Sequence, residues 1–326
     1  MSEPDTGQLR SVAHLPVGSF SIAMGVGGLA TGFNRASDVW AAFPSHVGAA
    51  LAWLTVALLF ALLLAYGVKA TRHWSSVRAE WRHPVKVAFT ATIPIAILIA
   101  AVALLPHARG VSSVLWWAGA VAMFLVTIWV VRTWSTDAQI QHVHVHPAWF
   151  IPVVGNVVVP LAGVTHAPVE VSWYFYGVGI VYWLGIMPIV LTRLFVLGTI
   201  PQRLAPTLAI MVAPPAVAAL AWVRLGGQWT DPPARVLLAA TLFNLLVFAS
   251  HAPALRKVPF ALPAWAYTFP LAAAAVALLA AYESGVGSFY AWAGGVVLAV
   301  STLIVLALAI RTASGFFTGE LLQPED

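Results

Sequence analysis

The chain has 326 residues, 61% hydrophobic and only 8% charged, with a mean hydropathy of +0.89. A soluble domain carries about 25% charged residues, so apolar surface on this scale is hidden only in a bilayer, which excludes a soluble enzyme or binding module. The net charge of +5 sits in loops, where it speaks to membrane orientation rather than to nucleic acid, and the absence of cysteine excludes disulfides, thiolate metal sites and a cysteine nucleophile.

Residues 1–15 are polar, with Glu3, Asp5 and Arg10, and read as a cytoplasmic tail. No secretory signal is evident. The first apolar run starts at Pro16 and leads into another membrane-length segment, which makes it a first span, with a signal peptide as the less favoured alternative. Apolar windows then recur at 16–34, 46–68, 84–105, 111–132, 147–166, 170–194, 203–225, 233–251, 259–282 and 287–311, which predicts ten spans. Their short connections make consecutive spans antiparallel hairpins. Between the second and third spans lies a basic stretch, 69–83, with Trp74 and Trp81; it reads equally as an amphipathic turn at the interface or as a solvated loop with aromatic anchors. A polar end, 312–326, carries Glu320, Glu325 and Asp326 and reads as a cytoplasmic tail behind a transmembrane domain of residues 16–311.

Every odd span is broken in its middle: at Gly25, Gly27 and Gly28, then at Pro94, Pro160, Pro214 with Pro215, and Pro270. Spans 2, 4, 8 and 10 carry no central proline, and Pro188 of span 6 lies toward its end. A proline inside a helix deletes a donor and clashes with the preceding turn. In lipid such a break persists only against protein or a wet cavity. The pattern predicts an all-α integral membrane protein: five helical hairpins in a pseudo-five-fold ring, with odd spans kinked around a central pore and even spans facing lipid.

Placing both termini in the cytoplasm puts Arg10, Lys69, Arg72, Arg78, Arg82, Lys86, Arg132, Arg193, Arg203, Arg256, Lys257 and Arg311 inside. It leaves Arg35, Arg109, Arg224 and Arg235 outside, which satisfies the positive-inside rule.

No carboxylate, lysine or arginine sits near the centre of a span. Asp38, Glu80, Asp137, Glu170, Asp231 and Glu283 fall in loops or at span ends, so proton coupling lacks a carrier group and a passive conduit is favoured. Each proline would free a carbonyl four residues earlier (Thr90, Asn156, Ile210, Met211, Ala266), which favours cations. The half-helix that starts at each break favours anions instead. Lys86 at the inner mouth and Arg35 and Arg224 at the outer mouth would concentrate anions, and on balance anions are favoured. Pore lining is assigned to Gly18, Gly25, Pro94, Asn156, Pro160, Pro214 and Pro270. No cofactor is implied. The alternating His142, His144 and His146 leave a membrane metalloenzyme as a distant alternative. Ser19, Ser21 and Ser250 have no His-Asp partners for a hydrolase triad.

Several motifs stand in order along nearly the whole chain: Leu15-Pro16-Val17-Gly18-Ser19-Phe20, Val77-Arg78-Ala79-Glu80 with Pro84-Val85, Ile93-Pro94-Ile95, His146-Pro147, Pro152-Val153-Val154-Gly155-Asn156, Ala213-Pro214-Pro215 and Trp265-Ala266-Tyr267-Thr268-Phe269-Pro270. Together they make the chain resemble the tellurite-resistance/dicarboxylate transporter family, which includes the plant guard-cell slow anion channels. The resemblance implies a homotrimer in the bacterial inner membrane, with one pore per subunit for small anions such as chloride or nitrate. It also implies that Phe269 plugs that pore, with Pro270 beside it where relatives can have glycine. Gly18 and Gly25 would then either give the ring space or serve close helix packing. A carrier for C4-dicarboxylate, sulfite or tellurite is the alternative the resemblance leaves open. The partners expected are membrane lipids and small anions, not nucleic acid.

Overall fold

A chain this apolar meets no water in the bilayer core, so its backbone groups must bond to one another within each segment. The computed structural model describes residues 11–198, 200–258 and 260–318, and among these every regular element is helical. The even spans are single long rods: α2 (Ser45–Arg72), α5 (Arg109–Thr136), α8 (Val169–Phe195), α10 (Pro232–Ser250) and α13 (Phe289–Thr318). Pro188 lies inside α8 without ending it.

The odd spans are composite. Each opens with 3-10 helix and turns α-helical part-way: 17–20 into α1 (Ser21–Val39), 86–91 into α4 (Thr92–Leu104), 202–212 into α9 (Ala213–Arg224), and 262–267 into α12 (Thr268–Glu283). The third odd span alternates, with α6 (Phe150–Val154), a 3-10 turn at 155–158 and α7 (Pro160–His166). This corrects the picture of an α-helix bent at a central proline. Pro160 is the first residue of α7, Pro214 and Pro215 the second and third of α9, and Pro94 and Pro270 the third of α4 and α12. In a first turn the missing N–H has no intrahelical partner to lose. The prolines mark where 3-10 changes to α.

Burial separates the two sets. The most apolar windows of the second to fifth odd spans are 72–89% buried, against 17–39% for the even spans. Leu184, Leu246 and Leu303 on even helices are exposed, as lipid-facing residues are. The inner segments close a ring: α1 packs on α4 and α12, α12 on α9, and the α6–α7 span joins α4 to α9. Each even helix packs on the odd span before it. Nine described helices are long and apolar enough to cross a bilayer. The first odd span holds the equivalent place in the ring, but Gly25, Gly27, Gly28, Gly32, Asn34 and Arg35 dilute its hydropathy.

The span limits match the sequence reading to within a few residues, with two additions. The 69–83 stretch is not a bare solvated loop, since it contains a helix, α3 (Trp74–Arg82), that buries Val77 and Glu80. The polar end expected from 312 continues α13 to Thr318. The tail residues Glu3, Asp5, Arg10, Glu320, Glu325 and Asp326 lie outside the described residues.

Candidate functional site

A 3-10 helix has three residues per turn, so positions i and i+3 stand in line. The same i, i+3 spacing runs on into the α-helical parts of these spans, and it places side chains along the ring axis: Gly18, Ser21 and Met24; Lys86, Phe89, Thr92 and Ile95; Ile151, Val154 and Val157; Ile210 and Ala213; Pro263, Ala266 and Phe269. They line one cavity of about 1960 Å³, to which all five odd spans contribute. Its lining extends no further along the spans than Met24, Ile95, Val158, Val217 and Phe269 with Pro270, an apolar collar with one side chain or pair from each odd span. The cavity therefore opens on one face and ends at the middle of the ring.

Phe269 sits in this collar, half-buried. A Cβ built on Gly28 would stand 3.3 Å from its ring and 3.0 Å from Ala272 Cβ, so Gly28 supplies the room the ring occupies. Of the two roles expected for Gly25, the structure fits close helix packing: its Cβ would stand 2.8 Å from Thr268 Cβ and 3.1 Å from the Trp265 ring. It serves the close approach of α1 to the start of α12. Gly18 does line the cavity, with Phe89 beside it.

Several carbonyls at the breaks accept hydrogen bonds. Ser21 Oγ donates to Gly18 O, Thr92 Oγ1 to Phe89 O, and Thr268 Oγ1 to Trp265 O, each at 2.7 Å. Asn156 Nδ2 donates to Val153 O and Asn244 Nδ2 to Met211 O, both at 2.8 Å. The Asn156 and Ile210 carbonyls accept from the backbone N–H groups of Val159 and Ala213. Of the five carbonyls expected to be freed, those of Asn156, Ile210 and Met211 are thus occupied, which weakens the cation argument that rested on them.

The open end of the cavity is basic. Among the described residues Lys86, Arg203, Arg256, Lys257 and Arg311 line it, with Lys69 and one carboxylate, Glu80. Lys69 Nζ and Glu80 Oε1 form an ion pair at 2.9 Å, with both side chains at least nine-tenths buried. Lys69 also donates to Leu15 O, and Glu80 accepts from Val17 N and Tyr66 OH, so the pair ties the start of the first span to α2 and α3.

Among the expected site residues, Gly18, Lys86, Pro214, Phe269 and Pro270 line the cavity, whereas Gly25, Pro94, Asn156 and Pro160 are buried behind its wall. Arg35 and Arg224 lie toward the opposite face. Arg35 pairs with Glu283 and Asp38, and Arg224 donates to Leu161 O and Thr165 Oγ1. The sequence reading placed Arg203, Arg256, Lys257 and Arg311 on the basic side but did not assign them to a site; their signal was only their position at span ends. The histidine run does not converge. His142 and His144 lie in a 3-10 turn, His144 Nδ1 accepts from Gln141 N, and buried His146 stacks on Phe89 at 5.9 Å. Among the described residues no three His, Asp or Glu side chains are grouped to hold a metal.

The family profile described as voltage-dependent anion channel matches residues 14–313. Two S-type anion channels of Arabidopsis thaliana, SLAH2 and SLAH3, are 27% and 28% identical over 95% of the chain, which covers 61% and 50% of their lengths. The chain thus spans about half to three fifths of those plant relatives. A tellurite resistance protein TehA homolog of Haemophilus influenzae is 24% identical, with 93% of each chain covered.

Proposed function

Because the chain belongs to the voltage-dependent anion channel family, we propose that it conducts small inorganic anions along the axis of the five odd spans, with the Phe269 ring as the gate. The observation that carries this reading is the cavity itself. Its walls come from all five odd spans, its mouth bears, among the described residues, six cationic side chains against one carboxylate, and its inner end is the apolar collar that holds Phe269. Cations at the mouth raise the local anion concentration and repel cations. An apolar constriction blocks hydrated ions by volume and by dewetting. The absence of ionisable side chains at the collar suits passive conduction better than coupled transport. In this reading the basic face is cytoplasmic, the membrane is a bacterial inner membrane, the first odd span makes the tenth crossing, and three copies assemble with one conduit each.

The test is the reversal potential of the current carried by purified protein in a planar bilayer under a tenfold potassium chloride gradient. Anion selectivity puts it near the chloride equilibrium potential, about 59 mV in size. A potential of the opposite sign, or saturable exchange without current, overturns the reading and supports a carrier.

A further inference from the structure

Arg203, Arg256, Lys257 and Arg311 are exposed, and among the described residues none of them is in an ion pair. They reach the cavity from separate elements: the 3-10 start of the fourth odd span, the segment after the short helix α11 (Ala252–Leu255), and α13. Lys86 adds a further charge from the second odd span. The carboxylate in the wall, Glu80, is already held by Lys69. The cavity is also far larger than a chloride needs, and larger than the roughly 300–1,000 Å³ of an ordinary small-molecule pocket. A monovalent ion has a single charge to share among these cations. An extended oxyanion with several charges can meet guanidinium groups from different elements at once, each through charge-assisted and often bidentate hydrogen bonds.

We propose that this vestibule is a binding site for multivalent oxyanions of the polyphosphate type. They lodge between Arg203, Arg256, Lys257 and Arg311 and stop at the Phe269 collar. In a conducting protein they obstruct smaller anions from the basic face only. This last consequence rests on the channel reading, whereas the binding does not.

The test uses inorganic triphosphate and the full-length protein in detergent or nanodiscs. Binding is followed by calorimetry at constant ionic strength, with sodium chloride as the control salt. Triphosphate is expected to bind saturably and at least tenfold more tightly than inorganic phosphate. Arg203→Gln, Arg256→Gln and Arg311→Gln together weaken it by roughly tenfold or more, as loss of several charge-assisted contacts requires. Each single replacement weakens it severalfold, which covers failure of the triple variant to fold. Arg235→Gln, in the first turn of α10 and outside the cavity lining, leaves it unchanged. Absence of binding above the salt control, or equal binding in the charge variants, overturns the proposal. Binding that depends on the three arginines in a protein without anion current keeps the site and removes the channel reading. Anion current without triphosphate binding does the reverse. In bilayers, triphosphate added to the basic face reduces current, while addition to the other face does not; equal block from both faces also counts against the site.

Discussion

Replacing Phe269 with alanine raises the chloride current per protein by about tenfold or more, the effect of removing about 1.4 kcal/mol or more from the barrier to passage. The ring is the bulkiest member of a collar otherwise built from Met24, Ile95, Val158, Val217 and Pro270. Truncation at Cβ opens the constriction by the volume of the ring and lets water through an apolar gap that otherwise dewets. The ring is half-buried, so its loss should cost less stability than the roughly 3–5 kcal/mol of a fully buried phenylalanine. Phe269→Leu keeps an apolar stopper and should give a smaller rise. Single-channel recording in bilayers reads both effects. A current unchanged from wild type, in protein that elutes and melts normally, removes Phe269 as the gate.

Lys69→Met should lower stability by about 3–5 kcal/mol, the usual cost of stranding one half of a buried ion pair. The Glu80 carboxylate would keep only Val17 N and Tyr66 OH as partners, and Leu15 O would lose its donor. The double variant Lys69→Met with Glu80→Gln should recover much of the loss, because the uncompensated charge is gone. Thermal unfolding of the purified variants in one detergent decides the matter. A single variant that melts with the wild type, or a double variant no better than the single, contradicts the account of this pair as an anchor for the first span.

The ring of inner spans was readable in the sequence because lipid punishes every unpaired backbone group. Pro94, Pro160, Pro214 and Pro270 could recur at one depth only where protein or water meets the backbone, and those spans are the buried ones. The conformation around the prolines was not readable. A proline reports a missing N–H but not whether the preceding turn bonds to i−3 or i−4, so the 3-10 stretches and their period-three stripes went unseen. That Gly28 rather than Gly25 stands beside Phe269 has a similar origin. The two glycines lie about one turn apart on α1, and the register of α1 against α12 is fixed by packing between distant segments. Lys69 and Glu80 looked like loop charges because the chain turn at His73, which folds α3 back on α2, has no local sequence signature. The mouth cations were visible as an orientation bias, but their convergence on one cavity depends on how the hairpins close the ring.

The chain contains no cysteine, so single cysteines can report which faces of the odd spans meet water. Cysteines at Ser21, Phe89 and Ala266 lie on the lining stripes, while those at Ala23, Ala88 and Ala91 lie on the same spans with buried side chains. The decisive measurement is the rate of modification by an anionic methanethiosulfonate added to the basic face of protein in sealed vesicles. Rapid reaction at the three stripe positions, and little at the other three, is the predicted result. Equal rates in the two sets, or reaction confined to cysteines on the outer faces of α8 and α13, would contradict an axial anion path built by the odd spans.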